Sequence, residues 1–248
     1  NAAILEDTVL YIRRSGGSIS KIAAMKNAVG NFIDQVTANA TGDPATNEDD
    51  VTHRLGIVKF SGNESDQIGN DTYRSDGNTY NYSQAVQDLT SVTGNVQSLK
   101  NAVNELAAAG STRTDFGLNQ AQRVLDGDWQ HGLGGAREEA KQVVVVFTDG
   151  EPSTFSNWSG GVAANAVNLA KDLKDDKVTV YTIGMFEDAD PSDTDGRFNK
   201  YMNGVSSNYP NAEVTNWRGD RTQDWDDCKL GTRVTEGNYY FAADDAEE

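Results

Sequence analysis

Oxygen-bearing side chains gather in three short segments of the sequence. Residues 13–18 read RRSGGS, residues 110–114 read GSTRT and residues 148–151 read TDGE. Serine and threonine hydroxyls together with a carboxylate are hard oxygen donors, which suit Mg²⁺ or another hard divalent cation. We therefore expect these segments to bind a cation or a polar ligand if the fold brings them together.

The apolar pattern around these segments predicts alternating strands and helices. Residues 143–147 form a continuous apolar run, which is typical of a central strand that is buried on both faces. Strands that alternate with amphipathic helices indicate a Rossmann-like, doubly wound α/β fold with a mostly parallel central sheet. The predicted strands are 7–13, 54–61, 86–89, 142–149, 178–184 and 237–241, and the predicted helices are 21–36, 91–106, 112–125 and 161–173.

Two long polar insertions interrupt this pattern, at about residues 62–84 and 187–233. Loops of that length in a compact domain are usually functional or disordered, and we expect these two to flank a ligand site. In open α/β sheets, ligands bind beyond the carboxyl ends of the strands, which is where the three oxygen-rich segments would lie. We interpret residues 1–248 as a single domain cut from a longer chain.

The order of these segments resembles the von Willebrand factor type A (VWA) domain. A strand followed by SGGS and a helix, then GSTRTDFGL, then VVVVFTDGEP, is similar to that family over nearly the whole chain. The resemblance implies a metal-ion-dependent adhesion site (MIDAS), in which an Asp-x-Ser-x-Ser motif, a Thr and a second Asp hold a divalent cation that a partner's carboxylate completes. The implied metal ligands are Ser15, Thr112 and Asp149, and ligand contact is also implied at Gly17, Ser18 and Glu151.

Two positions of this implied site depart from the family pattern. Arg13 stands where the family has its leading Asp, and Gly17 stands where it has its second Ser. A guanidinium about 4 Å from a divalent ion, at an effective dielectric of about 20, is repelled by on the order of 8 kcal/mol. We therefore hypothesise a degenerate site in which Arg13 fills the metal position and pairs with Asp149. A retained Mg²⁺ site is the open alternative, and a shifted loop would bring in Ser18 as a replacement hydroxyl.

Four aspartates in the second insertion resemble a calcium-binding loop. The full EF-hand pattern fails, because Pro191 stands at its first ligand position and Met202 at its last. A solvated acidic loop is therefore the preferred interpretation, and Ca²⁺ binding is the alternative. The four residues are Asp188, Asp190, Asp193 and Asp195.

The same insertion contains an integrin-recognition tripeptide, Arg218-Gly219-Asp220, and the single cysteine, Cys228. Tripeptides recur by chance, so we expect this one to be incidental. One cysteine cannot form an internal disulfide, and no companion base marks it as a nucleophile. We interpret Cys228 as a bystander.

Charge and composition exclude several function classes. The chain has 248 residues, with 21 Lys+Arg against 38 Asp+Glu and a formal net charge of −17. Nucleic acids and anionic membrane surfaces need a basic footprint, so neither is an expected partner. No apolar run approaches the roughly 20 residues that a transmembrane helix needs. With only His53 and His131, and without a nucleophile or phosphate-binding motif, the chain is not expected to be an enzyme.

These observations favour a non-catalytic recognition domain of a bacterial surface adhesin, such as the tip subunit of a pilus. The expected partner is a protein or glycan of a host or neighbouring cell, or another domain of the same surface protein, and the expected location is the outside of the bacterial cell. Three alternatives stay open: an intracellular VWA module that works with an ATPase, a hydrolase of similar topology, and a scaffold that has lost metal-dependent binding.

Overall fold

The computed structural model describes residues 5–13, 19–42, 52–62, 72–75, 78–81, 83–106, 110–154 and 157–242. The strands are β1 (Leu5–Arg13), β2 (Thr52–Phe60), β3 (Thr72–Ser75), β4 (Asn78–Asn81), β5 (Gln84–Ser91), β6 (Lys141–Thr148), β7 (Ser153–Thr154), β8 (Asn157–Trp158), β9 (Thr179–Gly184), β10 (Glu213–Val214), β11 (Cys228–Lys229) and β12 (Tyr240–Ala242). The helices are α1 (Ile19–Ala38), α2 (Val96–Asn104), α3 (Thr114–Asp126), α4 (Gly160–Asp175) and α5 (Arg197–Val205).

Six of the described strands form one central sheet, in the spatial order β12-β9-β6-β1-β2-β5. The pairs from β12 to β2 are all parallel, and β5 closes one edge as an antiparallel strand. Helices cover both faces of this sheet, so the predicted Rossmann-like, mostly parallel α/β fold is confirmed. None of the helices in the described ranges is long and apolar enough to cross a membrane.

Strand β6 divides the core into two halves. Val144 and Val146 face one side of the sheet, where they pack with residues of α3, α4 and α5. Val143, Val145 and Phe147 face the other side, where they pack with residues of α1 and α2. Successive side chains of a strand point to opposite faces, so a continuous apolar run serves both layers at once.

The sequence analysis did not predict helix α5, which lies inside the segment interpreted as the second insertion. Tyr201, Met202 and Val205 on this helix are at most 1% exposed and belong to the core. The hydroxyl of Thr182 in β9 donates a hydrogen bond of 3.2 Å to the carbonyl oxygen of Met202, which ties α5 to the sheet. Residues 187–233 therefore contribute a packed core helix as well as surface loops.

The carboxyl end of α5 is capped by a lysine from α4. The ammonium group of Lys174 donates to the carbonyl oxygens of Gly204 at 2.8 Å, Ser206 at 3.3 Å and Tyr209 at 3.0 Å. A cation is favourable at the negative end of a helix, and of these three carbonyls that of Gly204 belongs to the last turn of α5. Burial of the ammonium group nevertheless lowers the pKa of Lys174 to about 7.

This buried lysine makes stability depend on pH. The native pKa of Lys174 is about 7 and its ordinary value is 10.5, so between these values the unfolded chain holds a proton that the native chain has lost. The free energy of unfolding of the wild type relative to a Lys174→Met variant should therefore rise as the pH is raised through this interval. Urea unfolding of both proteins at several pH values measures the difference. Lys100→Met, at a partly exposed pair with Asp34 of α1, is the control, because the charge of Lys171 itself contributes to the lowered pKa of Lys174. A difference for Lys174→Met that does not change with pH would contradict the expectation.

Candidate recognition site at the carboxyl edge of the sheet

The parallel register brings the ends of neighbouring strands to one edge of the sheet. Arg13, the last residue of β1, pairs with Phe60 of β2, and Ile12 pairs with Phe147 of β6. Asp149 follows directly after β6, so its backbone lies next to the end of β1. The predicted ligand residues Ser15, Gly17 and Ser18 lie outside the described residues, and so does the side chain of Arg13.

Reciprocal backbone contacts hold Thr112 against the segment that follows β6. The amide of Thr112 donates to the Oγ of Ser153 at 3.0 Å, and the amide of Ser153 donates to the carbonyl of Thr112 at 3.0 Å. On the other side, the amide of Ser111 donates to the carbonyl of Gly62 at 2.8 Å. These bonds hold the second oxygen-rich segment against Gly62, just after β2, and against Ser153, just after the third segment.

The hydroxyl of Thr112 is buried and has no hydrogen-bond partner among the described residues. The side chain is 0% exposed, and its Oγ1 atom is one of the buried polar atoms left unpaired there. An unsatisfied buried polar group costs about 1–3 kcal/mol, and native proteins rarely tolerate one without a function. The hydroxyl of Thr112 is therefore an unsatisfied polar atom that is shielded from solvent within this edge of the sheet.

The turn after β6 presents Asp149 at the rim of the site. The hydroxyl of Thr148 donates to the carbonyl of Gly150 at 2.9 Å, which closes a tight local turn around the aspartate. Asp149 itself is half-buried. The rim therefore carries one unpaired hydroxyl and one carboxylate on separately anchored segments.

The predicted ligand residue Glu151 is engaged in an ion pair. Both of its carboxylate oxygens accept from Nη2 of Arg197 at 2.7 Å, and the Arg197 guanidinium also lies 4.7 Å from the ring centre of Trp158. Since both charged side chains are more than a third exposed, the pair contributes little to stability. It links the rim to the start of α5.

A buried ion pair that the sequence analysis missed fixes the start of α3. Arg113 donates through Nε and Nη2 to the two carboxylate oxygens of Asp115, each at 2.9 Å. The two side chains are only 9% and 5% exposed, and the guanidinium carbon lies 3.4 Å from the ring centre of Phe116. Removing one member of such a pair leaves an uncompensated buried charge, so the pair locks the backbone next to Thr112. The only signal in the sequence is Arg and Asp two residues apart at a helix start.

Two of the four aspartates of the second insertion accept hydrogen bonds from residues of their own loop. Asp190 accepts from the backbone and hydroxyl of Ser192, and Asp193 accepts from the backbone amides of Asp195 and Gly196. These hydrogen bonds lower the pKa of both carboxyl groups. In the part of the chain that the structure describes, no group of three or more His, Cys, Asp or Glu side chains is placed to hold a metal ion. Asp188, Asp190, Asp193 and Asp195 therefore do not form the alternative Ca²⁺ site in this structure.

The side chains most often used as nucleophiles or bases lie away from the rim. His53 is buried near the start of β2, at the opposite edge of the sheet, and His131 pairs with Asp128 at 2.7 Å after the end of α3. Cys228 is buried, and this burial raises the pKa of its thiol to about 11, so the thiol is protonated at neutral pH.

Comparison with protein families identifies the fold by name. The family model of the von Willebrand factor type A domain matches residues 14–218, which is more than half of the chain. The chain belongs to the VWA domain family. The match begins one residue after Arg13, the position at which this VWA domain departs from the expected leading aspartate. No curated protein matches the sequence significantly.

Several solved structures share this VWA fold at low sequence identity. The pilus adhesin SpaC from Lactobacillus rhamnosus GG is 17% identical with a TM-score of 0.58, over 100% of this chain and 29% of SpaC. The VWA domain of the type V pili tip protein Mfa5 from Porphyromonas gingivalis is 11% identical with a TM-score of 0.55, over 98% of this chain and 90% of that one. Proximal thread matrix protein 1 from the mussel byssus, with a zinc-occupied MIDAS, is 15% identical with a TM-score of 0.54, over 99% of this chain and 45% of that one.

The donor set of this VWA domain differs from a complete MIDAS. The unpaired Thr112 hydroxyl and the Asp149 carboxylate are suitable oxygen ligands. The leading carboxylate of the implied motif is replaced by Arg13, and its second hydroxyl is missing at Gly17. Of the donor set that the family pattern implies, the described residues therefore supply the Thr112 hydroxyl and the Asp149 carboxylate.

The unpaired hydroxyl of Thr112 leads to a stability prediction that needs no ligand. Replacing Thr112 by Val keeps the shape and removes the unsatisfied group, so the free energy of unfolding should stay unchanged or rise by up to about 1–3 kcal/mol. The matched control is Thr182→Val, at an equally buried threonine whose hydroxyl does have a partner, Met202; this change should lower the free energy of unfolding. Urea unfolding of both variants measures the contrast, and equal destabilisation would show that Thr112 is already satisfied.

Proposed function

We propose that this VWA domain is a non-catalytic recognition module of a bacterial surface or pilus adhesin, and that it binds its partner at the rim formed by Thr112, Asp149 and Glu151. The expected partner is a protein or glycan of a host or neighbouring cell. The pilus proteins SpaC and Mfa5, which share the fold, support this assignment of class. Both the partner and the extracellular location belong to the proposal.

One observation carries the proposal: the buried, unpaired hydroxyl of Thr112, on a segment that is hydrogen-bonded to Ser153 beyond the carboxyl end of β6. The surrounding contacts hold this group in place without satisfying it, through the paired backbone bonds to Ser153 and the buried Arg113–Asp115 pair. Open α/β sheets bind ligands at this edge. A rigid, unsatisfied donor at that position supports a site that an external ligand completes.

We further propose that recognition here works without a resident divalent cation. In VWA domains that hold a metal, the cation supplies the positive charge that meets a partner's carboxylate. The sequence has Arg13 where the family has its leading Asp, and in this proposal Arg13 supplies the positive charge while Asp149 serves as its counter-charge. A guanidinium binds a carboxylate through two parallel hydrogen bonds, so an acidic group remains the natural partner chemistry.

The absence of catalysis is also part of the proposal. Both histidines of the chain lie away from the rim, and the thiol of Cys228 is buried and protonated. General base or nucleophilic catalysis needs an activated group within hydrogen-bond reach of the substrate.

A binding screen with variants tests this function. The wild type is applied to immobilised extracellular-matrix proteins and to a glycan array, in Mg²⁺ and in EDTA, alongside Thr112→Val, Thr112→Ser and Asp149→Ala. We expect binding that EDTA does not change, that Thr112→Ser retains, and that Thr112→Val and Asp149→Ala weaken by roughly tenfold or more. Asp34→Ala, at an exposed pair on α1, is the surface control.

Two outcomes would contradict the proposal. Binding that EDTA abolishes would mean that a divalent cation takes part at the rim. A lack of binding to every protein and glycan tested, by a domain whose fold is intact by circular dichroism, would favour the scaffold alternative.

A further inference from the structure

A hairpin in the second insertion carries the Arg-Gly-Asp tripeptide at its tip. Thr215 and Arg221 form an antiparallel bridge, and the amide of Thr222 donates to the carbonyl of Val214 at 3.2 Å. The five residues between the bridge partners read Asn-Trp-Arg-Gly-Asp. The tripeptide noted in the sequence therefore stands at the tip of an ordered turn.

Asn216 determines the conformation of this tip. Its side-chain oxygen accepts from the amide of Arg218 at 2.8 Å and from the amide of Asp220 at 3.1 Å. The backbone amide of Asn216 donates to the carbonyl of Asp220 at 2.9 Å, and the backbone carbonyl of Asn216 accepts from the amide of Gly219 at 3.0 Å. Gly219 has φ +86°, a left-handed conformation that glycine adopts without strain. The tip is a closed turn whose central glycine is required by its geometry.

The base of the hairpin is anchored to the body of the domain. Arg221 forms an ion pair with Asp172 of α4. The ammonium group of Lys229 in β11 donates to the carbonyl of Thr215 at 3.1 Å and to its hydroxyl at 3.3 Å. An anchored turn loses less conformational entropy when it binds than a flexible loop does.

The side chains of the tip face solvent. Trp217 is 84% exposed, which is unusual for the largest apolar side chain, and Arg218, Gly219 and Asp220 are exposed as well. The guanidinium carbon of Arg218 lies 4.5 Å from the ring centre of Trp217. Asp220 makes a single long side-chain contact, of 3.4 Å, with the amide group of Asn216. The tip therefore exposes the guanidinium of Arg218, the carboxylate of Asp220 and the indole ring of Trp217. Gly219, between the two charged residues, has no side chain.

We propose that this tip is a docking element for a receptor of the integrin class. Such a receptor offers an acidic pocket for the guanidinium of Arg218 and a divalent cation for the carboxylate of Asp220, with apolar surface left for the ring of Trp217. The tripeptide is placed where a receptor can reach it, in a conformation that its neighbours hold. Arg218 and Asp220 are different residues from Thr112 and Asp149, so variants can test the two proposed sites separately.

The test measures binding of the intact domain to an immobilised, purified integrin ectodomain that recognises Arg-Gly-Asp, by biolayer interferometry in Mn²⁺. We expect saturable binding that a synthetic Arg-Gly-Asp peptide inhibits by competition and that EDTA abolishes by removing the receptor's cation. Asp220→Glu should weaken this binding by roughly tenfold or more. Asp226→Glu, at an exposed acidic residue six positions further along the chain, should bind as the wild type does.

Three results distinguish integrin binding at the hairpin from binding at the rim and from no integrin binding. Thr112→Val should bind the integrin normally, so a failure at the rim and a failure at the hairpin are distinguishable. Absence of binding by the folded wild type would overturn the inference. Binding that Asp220→Glu does not weaken, or that proceeds equally in EDTA, would also overturn it, because both results would exclude coordination of Asp220 by the receptor's cation.

Discussion

The structure depends on the parallel register of β1, β6 and β9. Val9 pairs with Val144, and Val144 pairs with Val180, so three apolar strands run side by side with their carboxyl ends at one edge. Parallel strands have to be covered on both faces, which is why helices occupy both sides and why loops with polar side chains are left for the edge. The recognition rim is a consequence of this register, because the chain has to leave each of these strands at the same end.

The contacts that hold the backbone near the rim are made by groups other than the proposed ligand-binding side chains. The Arg113–Asp115 pair and the bonds between Thr112 and Ser153 hold the backbone, and this rigidity allows the hydroxyl of Thr112 to remain unsatisfied. Sites that bind from a fixed geometry commonly carry such a local cost, which the rest of the fold offsets.

Sequence periodicity was sufficient to predict the order of strands and helices around the sheet, because each central element buries a long apolar face. Helix α5 escaped prediction although Phe198, Tyr201, Met202 and Val205 have helical spacing, since long polar stretches on either side dominate the composition. The placement of Thr112 and Asp149 came from a family resemblance. The Arg113–Asp115 pair and the closed hairpin tip depend on side-chain geometry, which residue spacing does not determine.

The central claim is that Arg13 has replaced the function of a resident metal at the rim. Isothermal titration calorimetry with Mg²⁺ and Mn²⁺ on the wild type and on Arg13→Asp tests it most directly, because the substitution returns the carboxylate that the family pattern expects. The account predicts no micromolar cation binding by the wild type, binding by Arg13→Asp, and loss of that binding when Asp149→Ala is added. Micromolar binding by the wild type that Asp149→Ala abolishes would contradict it.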